Sequence, residues 1–194
     1  DYVLDTFSTL PDPENSEFIF IIGYLGERIE EYTYRAYPNL NVRYVEQPEM
    51  RGQSHAISLA RDFLDGPVVT LYADTLIETD FSFLVEEKPD ALAWVKTVPD
   101  PRRFGVAVTG EDGYIRELVE KPLECDNRLA VVGCYFFTKG EELAAAIEEQ
   151  FRLKKKFNNE YFLTDAINIL LDQGTKMRTR EVDSWLDTGT IDAT

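Results

Sequence analysis

Two carboxylates, Asp74 and Asp187, follow apolar stretches and could serve a metal ion. "VVTLYADT" (68–75) is rich in Val, Leu and Tyr, as a buried strand is, and it ends on Asp74. In open α/β sheets, ligands bind beyond the carboxyl ends of the parallel strands. A carboxylate there is a natural ligand for Mg²⁺, which takes one or two protein carboxylates together with substrate phosphate oxygens. The plainer role for Asp74 is to cap a turn at 74–76. "WLDTGT" (185–190) offers the second carboxylate, Asp187, with a structural turn beside a core Trp as its plainer role.

Three other stretches carry residue types suited to a phosphorylated ligand. "EQPEMRGQSHA" (46–56) is a strand-to-helix loop with Gln47 and Gly52. Gln presents both a donor and an acceptor to a base edge, and Gly permits close backbone approach. "RRFGV" (102–106) puts Gly105 at a strand start, and "VEKP" (119–122) puts Glu120 and Lys121 at a strand end. An ammonium there can meet a phosphate. Taken singly, each is equally an ordinary connection, turn or surface ion pair.

These residues need a scaffold, and the hydrophobic pattern supplies one. "EFIFIIGY" (17–24) is a continuous apolar run closed by Gly23, as in a strand covered on both faces. "GERIEEYTYRAY" (26–37) carries Ile29, Tyr32 and Ala36 at helical spacing, and "NVRYVEQ" (41–47) alternates as a strand does. "GQSHAISLARDFL" (52–64) predicts a helix stopped by "DGP" (65–67), and 68–73 a strand. Strand, helix, strand, helix, strand argues for a mainly parallel sheet with helices on its faces. Strands are then expected at 91–98, 104–110, 113–122, 129–138 and 176–183, with an Asp-Gly hairpin turn at 111–114. Helices are expected at 140–151 and at 164–174, the second capped by Thr164 or Asp165 and stopped by Gly174. The first residues, with Val3, Leu4, Phe7 and Leu10, read as a helical stripe. "KKK" (154–156) reads as a solvated loop.

Composition narrows the partners. The 194 residues suit a single domain, 1–194, and 36 acidic against 20 basic side chains give a net charge of −16. That argues against nucleic acid or an anionic membrane, both of which need a positive face. No apolar run reaches the roughly 18 residues of a membrane span. The opening "DYVLDTFSTL" has no basic signal-peptide region. Cys125 and Cys134 show no metal-type spacing, and a reduced, cytoplasmic protein is the natural reading.

In order, "QPEMRGQSHAI", "YADT", "RRFGV", "EKP", "AVVG", "NNEYFLTDAIN" and "WLDTGT" resemble the sugar-1-phosphate nucleotidyltransferase family, nearest to its glucose-1-phosphate thymidylyltransferase-like branch. The resemblance implies an α/β, Rossmann-like nucleotidyltransferase fold: a mixed, mainly parallel central sheet flanked by helices. Residues 1–90 would form the nucleotide-binding half and 91–194 the sugar-phosphate-binding half. It implies Mg²⁺ as cofactor, held by Asp74 and Asp187, and a nucleoside triphosphate (dTTP or UTP) and a sugar 1-phosphate (glucose 1-phosphate) as partners. Gln47 and Gly52 would read the base. Gly105, Glu120, the backbone near Val132, and Glu160 would contact the sugar, and Lys121 would hold its phosphate. The oligomeric state, homo-oligomer or monomer, is left open.

The same comparison shows departures. The family's first strand and its Gly-rich triphosphate loop have no counterpart here, so the expectation is a fold lacking both, from a chain truncated at both ends. Thr75 stands where many relatives have Asn. One rival is a non-catalytic regulatory or scaffolding protein that keeps the fold without the loop. Another is a metal-dependent glycosyltransferase, although those generally carry Asp-x-Asp where this chain has "ADT". His55, the only histidine, reads as packing, since a phosphate nucleophile is already ionised and needs no base.

Overall fold

The computed structural model describes residues 2–124 and 126–188; Cys125 and the 189–190 part of "WLDTGT" lie outside them. The chain opens with α1 (Tyr2–Thr6) and a single 3₁₀ turn, from which Phe7 packs edge-on to Phe18 and flat on Phe81, both at 5.7 Å. β1 (Phe18–Ile22) leads through α2 (Gly26–Ala36) to β2 (Val42–Glu46), which pairs with β1 in parallel. Next come α3 (Gln53–Leu59), β3 (Val68–Leu71), β4 (Thr75–Ile77) and α4 (Leu84–Glu87). The remainder is β5 (Ala91–Thr97), β6 (Gly105–Thr109), β7 (Ile115–Glu120), β8 (Leu129–Phe137), α5 (Gly140–Arg152), α6 (Leu163–Asp172), β9 (Met177–Glu181) and β10 (Trp185–Asp187).

A six-stranded sheet runs β7-β6-β8-β5-β9, with β3 also paired to β8. Its two faces are buried differently. Ala91, Ala93 and Val95 meet Leu143, Ile147, Ile167 and Leu170 of α5 and α6. Leu92 and Trp94 face the other way, toward Ile77, Phe81 and Leu84. Because both faces are covered, β5 and β8 read as unbroken apolar runs rather than alternating ones. Among the described residues no helix is long and apolar enough to cross a membrane.

The α/β class, the mixed sheet and the flanking helices agree with the sequence. The expectation of a mainly parallel sheet does not. Among the described residues only β1–β2 and β5–β9 pair in parallel; β3–β8, β5–β8, β6–β7, β6–β8 and β4–β10 are antiparallel. The physical reason is β8, a long strand from the second half that runs against three of its neighbours. Alternation of strand and helix at the start of the chain carries no information about it.

Three further expectations shift. β1 was expected to be covered on both faces, yet Phe18–Ile21 are only half-buried. β1 and β3 lie in different sheets, and each has one unpaired edge among the described residues. The predicted α2 stripe is not the buried one: Gly26 and Thr33 are buried, while Ile29 and Ala36 are exposed, because a two-stranded ribbon offers little surface to cover. The predicted 52–64 helix ends at Leu59 and continues as a 3₁₀ turn over Arg61–Phe63, where the Arg43 guanidinium lies over the Phe63 ring.

Candidate active site

The segments that carry the two carboxylates meet through the smallest elements of the fold. After β3 the chain turns, with Thr75 N donating to Tyr72 O, and enters β4. β4 pairs with β10 so that Asp187 lies opposite Thr75, the neighbour of Asp74. Thr188 locks the pair: its backbone N and its Oγ1 both donate to Asp74 O at 2.9 Å. Asp74 is exposed and Asp187 half-buried. Thr75 is buried, and its Oγ1 donates to Val132 O at 3.0 Å. Thus the residue that departs from the resemblance ties the Asp74 turn to the strand that carries Val132.

β8 bulges at this point, since Ala93 pairs with Tyr135 but Val95 with Val131. Gly133, inside the bulge, has φ +82°, and a side chain there would collide with the Tyr72 ring. Bulges of this kind re-aim strands next to functional sites.

The loop after β2 forms a second corner. Gln47 Nε2 donates to Gly52 O at 3.3 Å and to His55 Nδ1 at 3.1 Å. The Gln47 amide oxygen has no hydrogen-bond partner among the described residues. His55 therefore orients Gln47, in keeping with its reading as packing. Gly52 lies against Tyr161, which is stitched to the same loop: Tyr161 N donates to Arg51 O, and Ser54 N to Tyr161 O. Leu163 N adds a bond to Gln53 Oε1.

The third corner gathers Gly105, Glu120 and Lys121. Gly105 pairs with Glu120 across β6 and β7, and a Cβ at Gly105 would lie 3.3 Å from Glu120 Oε2. Lys121 adopts φ +45°, its N donates to Phe104 O, and its ammonium sits 4.5 Å above the Phe162 ring. Glu160 follows an Asn158–Asn159 turn with both φ positive, and its side chain is exposed. Glu160 is not brought to this group: its backbone pairs with Phe157, and its chain neighbour Tyr161 belongs to the Gly52 corner. Thr164 is no helix cap. The residue ahead of α6 is Phe162, and the Thr164 hydroxyl instead donates to Glu120 Oε2 at 3.2 Å.

Burial pushes the Glu120 carboxyl above its usual range, against the pull of the Lys121 ammonium and the Thr164 hydroxyl. Between the unfolded and folded pKa values the native state holds a proton that the unfolded chain has released. Stability therefore falls as pH rises through that window, and the whole penalty is present above it. Glu120→Gln should accordingly raise the melting midpoint at pH 7.5, with the gain shrinking toward pH 4. Melting curves at the two pH values check this; an equal or larger gain at pH 4 would contradict it.

Among the described residues no group of three or more His, Cys, Asp or Glu forms a closed metal cage. A pair of aspartates does fit Mg²⁺, which keeps water and takes its remaining oxygens from substrate phosphates. Sequence reasoning noted Thr75 only as a departure beside Asp74 and missed Tyr161, Thr164 and Gly133 as members of these corners. Of these three, only Gly133 left a signal, as a glycine inside an otherwise apolar strand.

An α/β domain that carries two aspartates at one pair of short strands, with a lysine at a strand end and a glycine-bearing loop, defines a candidate phosphate-handling enzyme. The chain belongs to the nucleotidyl transferase family, whose model matches residues 7–194. It is 29% identical over 191 residues to a UTP–glucose-1-phosphate uridylyltransferase of Haloferax volcanii, covering 94% of this chain and 76% of that protein. It is 32% identical over 159 residues to a glucose-1-phosphate thymidylyltransferase of Streptomyces griseus, covering 78% of this chain but 43% of that protein. The chain thus spans less than half the length of the latter relative. A nucleoside-diphosphate-sugar pyrophosphorylase structure from Vibrio cholerae shares the fold, with a TM-score of 0.80 at 17% identity over 98% of this chain and 82% of that one.

Proposed function

We propose that this domain transfers a nucleotidyl group, dTMP or UMP, from the triphosphate to a sugar 1-phosphate, with glucose 1-phosphate favoured, in the cytoplasm. The observation that supports the reading is the β4–β10 pairing, which sets Asp187 opposite Thr75, the chain neighbour of Asp74. The relatives' names supply the substrate class. A non-catalytic role for the same fold would not require that convergence.

Mg²⁺, held by Asp74 and Asp187, would neutralise phosphate charge between the two substrates. Gln47 would offer its amide oxygen to a base N–H, with Gly52 leaving room for the base. Gly105, Glu120, Glu160 and the Val132 backbone would contact the sugar, and Lys121 its phosphate. The phosphate oxygen attacks the α-phosphorus, the bond to the β-phosphate breaks, and pyrophosphate leaves in line. Such transfer depends on positioning and charge neutralisation rather than on a protein nucleophile. In a protein of charge −16, local cations must offset the repulsion between two anionic substrates.

Pairs of nucleoside triphosphates and sugar 1-phosphates, assayed for pyrophosphate release, test the reading. Release of nucleoside diphosphate instead would favour a glycosyltransferase, and no turnover with any pair would favour the non-catalytic role. Lys121→Ala should lower kcat/KM for the sugar phosphate by about tenfold while leaving nucleotide KM nearly unchanged. An unchanged kcat/KM would remove Lys121 from the site.

A further inference from the structure

The adjacent arginines in "RRFGV" are used in opposite ways. Arg102 is tied back to Asp100: its N and Nε donate to Oδ1 at 3.1 and 2.9 Å, and its Nη2 to Oδ2 at 2.6 Å. Arg103 turns toward the carboxylate corner, where its Nη2 lies 3.9 Å from Asp187 Oδ2. Its guanidinium is 5.9 Å from the centre of the Phe104 ring. That ring packs edge-on against Trp185, at 4.8 Å, two residues before Asp187 on β10. The Phe104 carbonyl in turn accepts the Lys121 N–H. Arg103 is therefore anchored between the Asp74–Asp187 corner and the Glu120–Lys121 corner.

The ion pair with Asp187 is long and partly exposed. At 3.9 Å it is the longest among the described residues, and its side chains are 57% and 23% exposed. Pairs of that kind are worth at most about 1 kcal/mol. A guanidinium beside Asp187 supplies the positive charge that a bound cation would otherwise supply. Once a divalent cation neutralises the carboxylate, the strongest anion left within the same corner is a phosphoryl group. Arginine matches phosphate with a two-pronged fork that lysine lacks.

We propose that Arg103 is an exchangeable counter-ion. It neutralises Asp187 in the metal-free protein and is released to a substrate phosphoryl group when the divalent cation binds. The idea rests on the nucleotidyl-transfer reading above. It differs from a supporting role in one sign: a prop for Asp187 helps metal binding, whereas a counter-ion competes with it.

Mn²⁺ binding, followed by electron paramagnetic resonance in the absence of substrates, reads that sign. Arg103→Gln should bind Mn²⁺ about two- to fivefold more tightly than wild type, the range that an exposed ion pair is worth. The same variant should lose about tenfold or more in kcat/KM for pyrophosphate release. A rise in KM for the sugar phosphate or for the nucleotide identifies which phosphoryl group Arg103 meets. Arg103→Lys should keep wild-type Mn²⁺ affinity yet recover only part of the turnover. Weaker or unchanged Mn²⁺ binding in Arg103→Gln, or unchanged turnover, overturns the proposal. If wild type releases no pyrophosphate at all, the functional reading falls, and the Mn²⁺ comparison still decides whether Arg103 competes for Asp187.

Discussion

Asp74→Asn and Asp187→Asn should each lower Mg²⁺-dependent turnover by at least about tenfold, or roughly 1.4 kcal/mol of barrier. The substitution keeps the side-chain shape and removes the charge, and a neutral amide is a poor ligand for a hard cation. Two carboxylates leave little redundancy, because no third acid joins them among the described residues. The contacts that hold the turn run through the Asp74 backbone carbonyl, which accepts from Thr188, so Asp74→Asn leaves them in place. The loss should therefore appear in turnover and in the Mg²⁺ concentration needed for half-maximal rate, while the melting midpoint stays near that of wild type. Rates within about twofold of wild type in either variant would remove that residue from the metal site.

Gly52→Ala should be the most damaging single methyl group in the nucleotide corner. Gly52 has φ +99° and ψ 178°, a region open essentially to glycine alone, and its Cβ would lie 2.6 Å from Tyr161 O and 2.7 Å from Tyr161 N. Both are backbone atoms, and both already bond to the same loop, through Arg51 O and Ser54 N. No side chain can swing aside to relieve the clash. The backbone conformation and the collision together should cost on the order of 3 kcal/mol, lowering the melting midpoint by roughly 10 °C. Displacing Gly52 O would also free the Gln47 amide that donates to it, so nucleotide binding should weaken at temperatures where the variant is still folded. Thermal melts and nucleotide titration check the two effects separately. A midpoint within about 2 °C of wild type would show that the Tyr161 strap yields easily.

The sequence alone determined the elements that carry their own periodicity or punctuation. β3, β5 and β8 are apolar because both faces of the sheet are covered, and that shows as runs of Val, Leu, Ala and Phe. Gly113, with φ +77°, sits in the hairpin turn expected from Asp-Gly, and Gly174, with φ +101°, follows α6 as its stop. Asp74, Gln47, Gly52, Glu120, Lys121 and Asp187 could be singled out because each breaks a local pattern at the end of an element. The tertiary structure alone decided how they meet. β4 and β10 have three residues each, too few to show any period, and lie more than a hundred residues apart. Their pairing depends on both partners at once, so neither stretch announces it. The same holds for Thr164, whose local reading as a helix cap lost to a carboxylate brought in by β7. It holds too for Tyr161 against Gly52, and for Arg103, which differs from Arg102 only in what the folded chain sets before it. Periodicity records which face of a segment is buried. Register, antiparallel pairing and the company of a side chain arise from contacts between distant segments, and these settle only when the whole core packs.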